Sequence, residues 1–156
     1  MIDTKQLLEY AQNPELAIQN LHELFHLLET EDETSQNYAT EALENCGPPN
    51  RENLADLQQR LQSNTSSEVY WASTLLGRAR ALLVEMGSVA SVQNELFRVV
   101  AKKSFELSAR ERAAWAISEL GEASGDIQSK ISDLLCDASP RLRRLLEAIR
   151  ANTHES

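Results

Sequence analysis

The stretch from Ser108 to Gly121, SARERAAWAISELG, is not unique in its chain, and that repetition constrains the fold more than any other feature. Its apolar positions Ala109, Ala113, Ala116, Ile117 and Leu120 recur at helical spacing and form one stripe, with Arg110, Glu111, Ser118 and Glu119 largely outside it. SSEVYWASTLLG, Ser66 to Gly77, aligns with it without a gap, pairing Val69 with Ala113, Trp71 with Trp115, Ala72 with Ala116, Leu76 with Leu120 and Gly77 with Gly121. A fainter copy, QNYATEALENCG, places Ala39, Ala42, Leu43, Cys46 and Gly47 at the same positions. The small residues of each copy let a neighbouring helix approach closely, and each glycine stands where a helix ends. The chain is therefore expected to be built from stacked helical units.

Around these copies the pattern reads as helices nearly throughout. Asp3 or Thr4 caps a first helix to about Gln12; Asn13-Pro14 opens a second to about Glu29, its core stripe Ile18, Leu21, Leu24, Phe25 and Leu28. Helix pairs follow. The first is 35–46 and 51–63, divided by Gly47-Pro48-Pro49-Asn50, which no helix crosses intact. In the second pair Val69, Ala72, Leu76, Ala79, Leu83 and Met86 continue one stripe, so the spacing predicts one long helix over 67–86, partnered by 89–104. The third pair is 108–120 and 125–136. A last helix starts after Ser139-Pro140 and frays into Asn152–Ser156. No stretch alternates with period two for long enough to be a strand. The chain of 156 residues is expected to form one domain: 1–34 as N-terminal capping helices, repeats 35–64, 65–107 and 108–138, and a capping helix over 139–156.

Charge narrows the partners. The net charge is −9, and residues 1–64 carry 12 acids against 3 bases while residues 65–156 carry 12 of each. Such a field repels phosphate backbones, so no nucleic acid is expected as a partner. No run approaches the roughly 18 apolar residues a membrane span needs. MIDTKQLLEYAQ lacks a basic region followed by an apolar run, so neither a signal peptide nor a membrane role is expected, and the expected location is the cytoplasm. Cys46 and Cys136, both in apolar helical patterns, read as buried free thiols.

Helix pairs at this spacing indicate a right-handed α-solenoid of about seven to nine helices. The pattern resembles HEAT repeats in the short form grouped with phycobilisome-lyase-like HEAT proteins. Asp137-Ala138-Ser139-Pro140-Arg141-Leu142-Arg143 looks like that family's turn, and Ala109-Arg110 before Ala113, Ala114 and Ala116 looks similar. Ser66 and Gln36 stand where the arginine would be, and the middle repeat is extended around 78–88. The resemblance covers about residues 35–150 and implies that Asp137 and Arg143 tie neighbouring repeats together. It also implies a module that binds other macromolecules, with bilin-lyase-like or DNA-repair roles as alternatives from the same fold.

Candidate chemistry is sparse. His22-Glu23-Leu24-Phe25-His26 fits H-E-x-x-H, in which two imidazoles four apart share a helix face and can bind zinc while the glutamate polarises a water. A zinc-dependent hydrolase is the alternative this raises, with Glu29, Glu41 and Glu44 the only candidates for a third ligand; the expectation is otherwise no metal and no cofactor. Tyr70, Trp71 and Trp115 are expected to pack between helices, and the run Arg141, Arg143, Arg144 and Arg150 to have pairing duties with Asp137 or Glu147. The main expectation is a non-enzymatic protein-binding or scaffolding module. Its partner surface is formed by the second helices 51–63, 89–104 and 125–136, with Arg98 and Lys102 at its centre and Asn94, Arg60 and Asp133 around them. An acidic or polar segment of another protein suits that surface.

Overall fold

The computed structural model describes residues 4–151, and all of its regular structure is helical. The cap expected at Asp3 and the end at 152–156 lie outside the described residues. The helices group into two compact units, one up to Leu54 and one from Ala55 onward.

In the first unit, α1 (Thr4–Gln12), α2 (Pro14–Gln19) and α3 (Leu21–Leu28) precede α4 (Glu33–Asn45), and both α1 and α3 pack on α4. Its core is Leu7, Tyr10, Ala17, Ile18, Leu21, Leu24, Phe25, Ala39, Ala42 and Leu43. Asn13 caps α2, accepting a hydrogen bond from the Leu16 N–H at 3.2 Å, with Pro14 in the first turn. The single helix expected over 14–29 is broken at Asn20. Its side chain donates to the Leu16 carbonyl at 2.8 Å, while its backbone N–H turns to Ala17 at 3.0 Å. An Asn amide competing for the carbonyl that its own backbone would use is enough to interrupt the ladder. Asp32 caps α4 through the Thr34 N–H and the Ser35 hydroxyl, and these bonds hold its carboxyl below the usual range.

In the second unit, the remainder of α5 (Arg51–Arg60) leads to α6 (Ser66–Gly77), α7 (Arg80–Met86), α8 (Val89–Ala101), α9 (Leu107–Glu119), α10 (Gly125–Leu135) and α11 (Pro140–Ala151). The centre is the packing of α6 on α9. The two helices run parallel: Ser66 accepts a bond from the Glu106 N–H, Arg112 reaches the Tyr70 hydroxyl, and Gly77 lies against Trp115 and Ala116. Val69, Ala72, Ser73 and Leu76 from α6 and Ala109, Ala113, Ala116 and Ile117 from α9 are all completely enclosed.

The glycines aligned in the sequence do two different jobs. Gly47 and Gly121 end their helices with left-handed φ values of 75° and 106°. Gly77 stays helical, and its missing side chain is the space into which Trp115 fits: a Cβ there would stand 2.6 Å from Cζ3 of that ring and 3.1 Å from Cα of Ala116.

The helix expected over 67–86 is two helices, with the chain turning at Arg78-Ala79. The Arg78 and Ala79 N–H groups make tight-turn bonds to Leu75 and Leu76, yet Val69, Ala72, Leu76, Ala79 and Leu83 remain inside on both sides of the break. A continuous apolar stripe requires that its residues share a core, not that they share a helix. Met86, the last of that stripe, is 40% exposed. Cys136 is exposed too, against expectation, because α10 stops at Leu135 and leaves the thiol beyond its buried face; Cys46 is buried as expected.

Helix ends in this unit are closed by neighbours. Gln93 of α8, almost completely buried, donates to the Ile117 and Gly121 carbonyls at the end of α9, at 3.1 and 3.2 Å. Arg110 of α9 donates back to the Val100 carbonyl at the end of α8, at 2.8 Å. The pattern recurs one helix pair later: Gln128 of α10 donates to Ile149 at 2.9 Å, and Arg143 of α11 to Leu135 at 2.7 Å. These bonds make α8 antiparallel to α9 and α10 antiparallel to α11. They serve carbonyls at the ends of these helices, where the i→i−4 ladder runs out; the Ile117 and Leu135 carbonyls also accept tight-turn bonds from Leu120 and Ala138.

Two substitutions test this packing. Gly77→Ala gains helix propensity but forces α6 and α9 apart, and a net loss of about 1–3 kcal/mol is expected in urea unfolding. Gln93→Leu keeps much of the volume but removes both bonds, leaving the Ile117 carbonyl with only its Leu120 N–H and the Gly121 carbonyl without its side-chain donor, with an expected loss of about 1–2 kcal/mol. An unchanged midpoint for either variant would show that the contact is not holding the helices together.

Candidate functional site

The residues expected at the partner surface meet only in part. Arg98, in the last turn of α8, and Lys102, just beyond it, line a shallow groove of about 100 Å³ with Leu61, Ser63, Glu95 and Phe105. Cations here are favoured by the C-terminal end of the α8 dipole. Lys102 also holds the groove together: its ammonium donates to Asn64 at 3.1 Å and lies 4.9 Å above the Phe105 ring. Asn94 is exposed one turn before Arg98 on the same row. Asp133, exposed on α10, does not line the groove. Arg60 is occupied elsewhere. With only 13% of its side chain exposed, it lies 2.8 Å from Asp56 and 2.9 Å from Glu68, clamping α5 to α6.

Glu95 and Phe105 complete the groove and were not among the sequence candidates. Glu95 sits one turn from Arg98 and Val99, the spacing that could have flagged it. Burial pushes its carboxyl up from the usual range, and the positive charge of Arg98 opposes part of that rise.

A second cluster brings together Tyr70, Trp71 and Trp115, singled out in the sequence as packing residues or an aromatic binding surface, and adds Arg112, which was not. Arg112 of α9 lies between two rings, its guanidinium carbon 4.9 Å from the centre of Tyr70 and 4.8 Å from that of Trp115. It also donates to the Tyr70 hydroxyl at 2.8 Å. Tyr70 meets Trp71 edge to face at 5.0 Å. Trp71 is buried, in line with the packing role expected of it, whereas Tyr70, Arg112 and Trp115 are half-buried, with the stack open to solvent on one side. The signal for Arg112 in the sequence is its spacing from Trp115, three apart on one helix face.

The His22–His26 stretch is α3. Both imidazoles are exposed and border a depression with Gln19, Asn20 and Glu23. Glu23 takes a hydrogen bond from the Tyr10 hydroxyl, whose phenol is raised first by burial and then by the Glu23 charge and that bond. Glu29, Glu41 and Glu44 are exposed, and among the described residues no group of three or more His, Cys, Asp or Glu is arranged to hold a metal ion.

Two of the basic residues at the far end, Arg141 and Arg143, meet partners other than Asp137 and Glu147. Arg143 serves the Leu135 carbonyl, Arg141 approaches Glu111 at 3.9 Å, and Glu111 also accepts from the Ser139 hydroxyl. Asp137 pairs with Lys103 at 2.7 Å, and that bond is the first cause of its lowered carboxyl pKa.

The raised pKa of Glu95 fixes the sign of a pH effect. The folded chain holds the Glu95 proton more tightly than the unfolded chain does. Its contribution to stability is therefore fully present below the unfolded value of about 4.3 and lost as pH rises through the folded value. Glu95→Gln, which cannot ionise, is expected to unfold at higher urea than the parent at pH 7, with the difference closing near pH 4. The same difference at both pH values would remove burial of the charge as its cause.

No family model matches this chain, and no curated protein or solved structure does either, so its function is read from the side chains themselves.

Proposed function

We propose that this chain is a non-enzymatic, HEAT-like helix-repeat protein, a right-handed α-solenoid whose second helices bind a segment of another protein. The observation that carries the reading is the recurring pair of end-closing bonds. Gln93 with Arg110, and Gln128 with Arg143, join consecutive helices in the same way in successive helix pairs. A stack held by one repeated device is the design of a solenoid, in which each unit contacts its neighbours and offers an extended face. Parallel packing of the first helices α6 and α9 supports it.

The α8 groove is the best-supported place for contact. Arg98 is an exposed cation with no bond to a carboxylate, and Lys102 spends itself on an amide oxygen and a ring face rather than on an acid. Arg98 is therefore available to an acidic or polar segment, and Lys102 adds an unneutralised positive charge beside it. The net charge of −9 makes a protein a better match for the chain than a nucleic acid.

The test is capture by the purified chain from a lysate of its source, comparing the parent with Arg98→Glu plus Lys102→Glu and quantifying by mass spectrometry. Arg98→Glu alone breaks no hydrogen bond or ion pair among the described residues and is expected to unfold as the parent does. Lys102→Glu also gives up the Asn64 bond and the Phe105 ring contact, so Arg98→Glu and the double variant are compared with the parent at equal folded fraction. The double variant is expected to lose at least one stoichiometric partner by about tenfold, the effect of a lost charge-assisted contact. Equal recovery of every captured protein would place the binding surface elsewhere.

A further inference from the structure

The Tyr70–Arg112–Trp115 stack holds a cation that bridges two helices without a carboxylate partner among the described residues. Every other arginine or lysine with a charged or backbone partner described above is spent on it: Arg60 on Asp56 and Glu68, Lys103 on Asp137, Arg110 and Arg143 on carbonyls. Arg112 is half-buried, and no carboxylate among the described residues pairs with it. A guanidinium has five N–H donors in a rigid fork, and one bond to the Tyr70 hydroxyl leaves most of that fork unused.

We propose that this stack is a docking point for a peptide segment of another protein that carries an aspartate or glutamate beside an apolar side chain. Two rings hold the guanidinium in one orientation, so a partner carboxylate meets a fork already in place and little ordering cost remains. Partial burial strengthens the charge-assisted bond relative to one in open water. The half-buried Tyr70 and Trp115 leave part of their ring surface beside the guanidinium for an apolar neighbour, and Tyr, Trp and Arg are the residue types that dominate binding energy at protein interfaces. A carboxylate fits better than a phosphate, because a single arginine offers one positive charge and the chain as a whole carries −9. The Trp115 ring is itself seated over Gly77, so the stack is fixed to α6 as well as to α9. This docking point lies on the first helices and does not depend on the α8 groove.

The experiment pans a phage-displayed random short-peptide library on the immobilised full chain and remakes the enriched sequences as synthetic peptides. Enriched peptides are expected to carry Asp or Glu next to Leu, Ile or Phe. Replacing that acid by its amide, or replacing Arg112 by Gln in the protein, is expected to weaken binding about tenfold or more, the loss of one charge-assisted bond. Arg98→Glu plus Lys102→Glu is expected to leave binding nearly unchanged. Circular dichroism checks that Arg112→Gln folds. In the parent protein, the Arg112 Nε–Hε resonance must move on peptide addition, a readout independent of any variant. No enrichment, enriched peptides without an acid, equal binding to Arg112→Gln, or an unmoved Arg112 resonance would each overturn the proposal. Loss confined to the Arg98 and Lys102 variant would overturn it while leaving the α8 surface standing.

Discussion

The second unit depends on how closely α6 and α9 approach each other. At Gly77 the ring of Trp115 and the backbone of Ala116 occupy space that any side chain would need. Along the rest of the contact, alanines and one serine keep the axes near enough for backbone to face backbone, and close packing of this kind yields many weak dispersion contacts at once. The same approach decides what stands at the edge. Tyr70 comes from one helix and Arg112 with Trp115 from the other, so their stack exists only because the two helices are locked at that distance.

Tight packing of short helices creates a second demand. Each helix ends with carbonyls that no intrahelical N–H can reach, and close neighbours exclude the water that would otherwise serve them. The chain meets this with long polar side chains sent across from the adjacent helix: Gln93 and Gln128 in one direction, Arg110 and Arg143 in the other. Arginine suits the role because its charge also complements the negative end of a helix dipole. Several of the basic residues in this half are used this way or in pairs with acids. Arg98 and Arg112 are paired with no carboxylate among the described residues.

The groove and the stack differ in what surrounds their charge. Arg98 faces solvent at a helix end, beside a carboxylate that burial discourages from ionising. Arg112 is held by aromatic faces and has no acid beside it. The first charge is free to reorient in solvent, whereas the second is held in one orientation by two rings and a hydroxyl.

The sequence by itself determined the all-helical class, most helix positions and the apolar stripes, because a helical period and its breakers act locally. Ala39, Val69, Ala72, Ala113 and Ala116 are buried where the repeat placed them. Asn20 and Arg78-Ala79 escaped detection, since one amide competing for a carbonyl or one turn within a continuous stripe leaves the apolar pattern intact. Arg98, Lys102 and Glu95 could be placed together from their spacing on one helix, but Phe105 beside them could not. Nor could the sequence show that Arg60 is bound between two acids, that Cys136 is exposed, or that Arg112 lies between Tyr70 and Trp115. Those facts join residues that are distant along the chain, and only the packing of one helix on another decides which side chains meet.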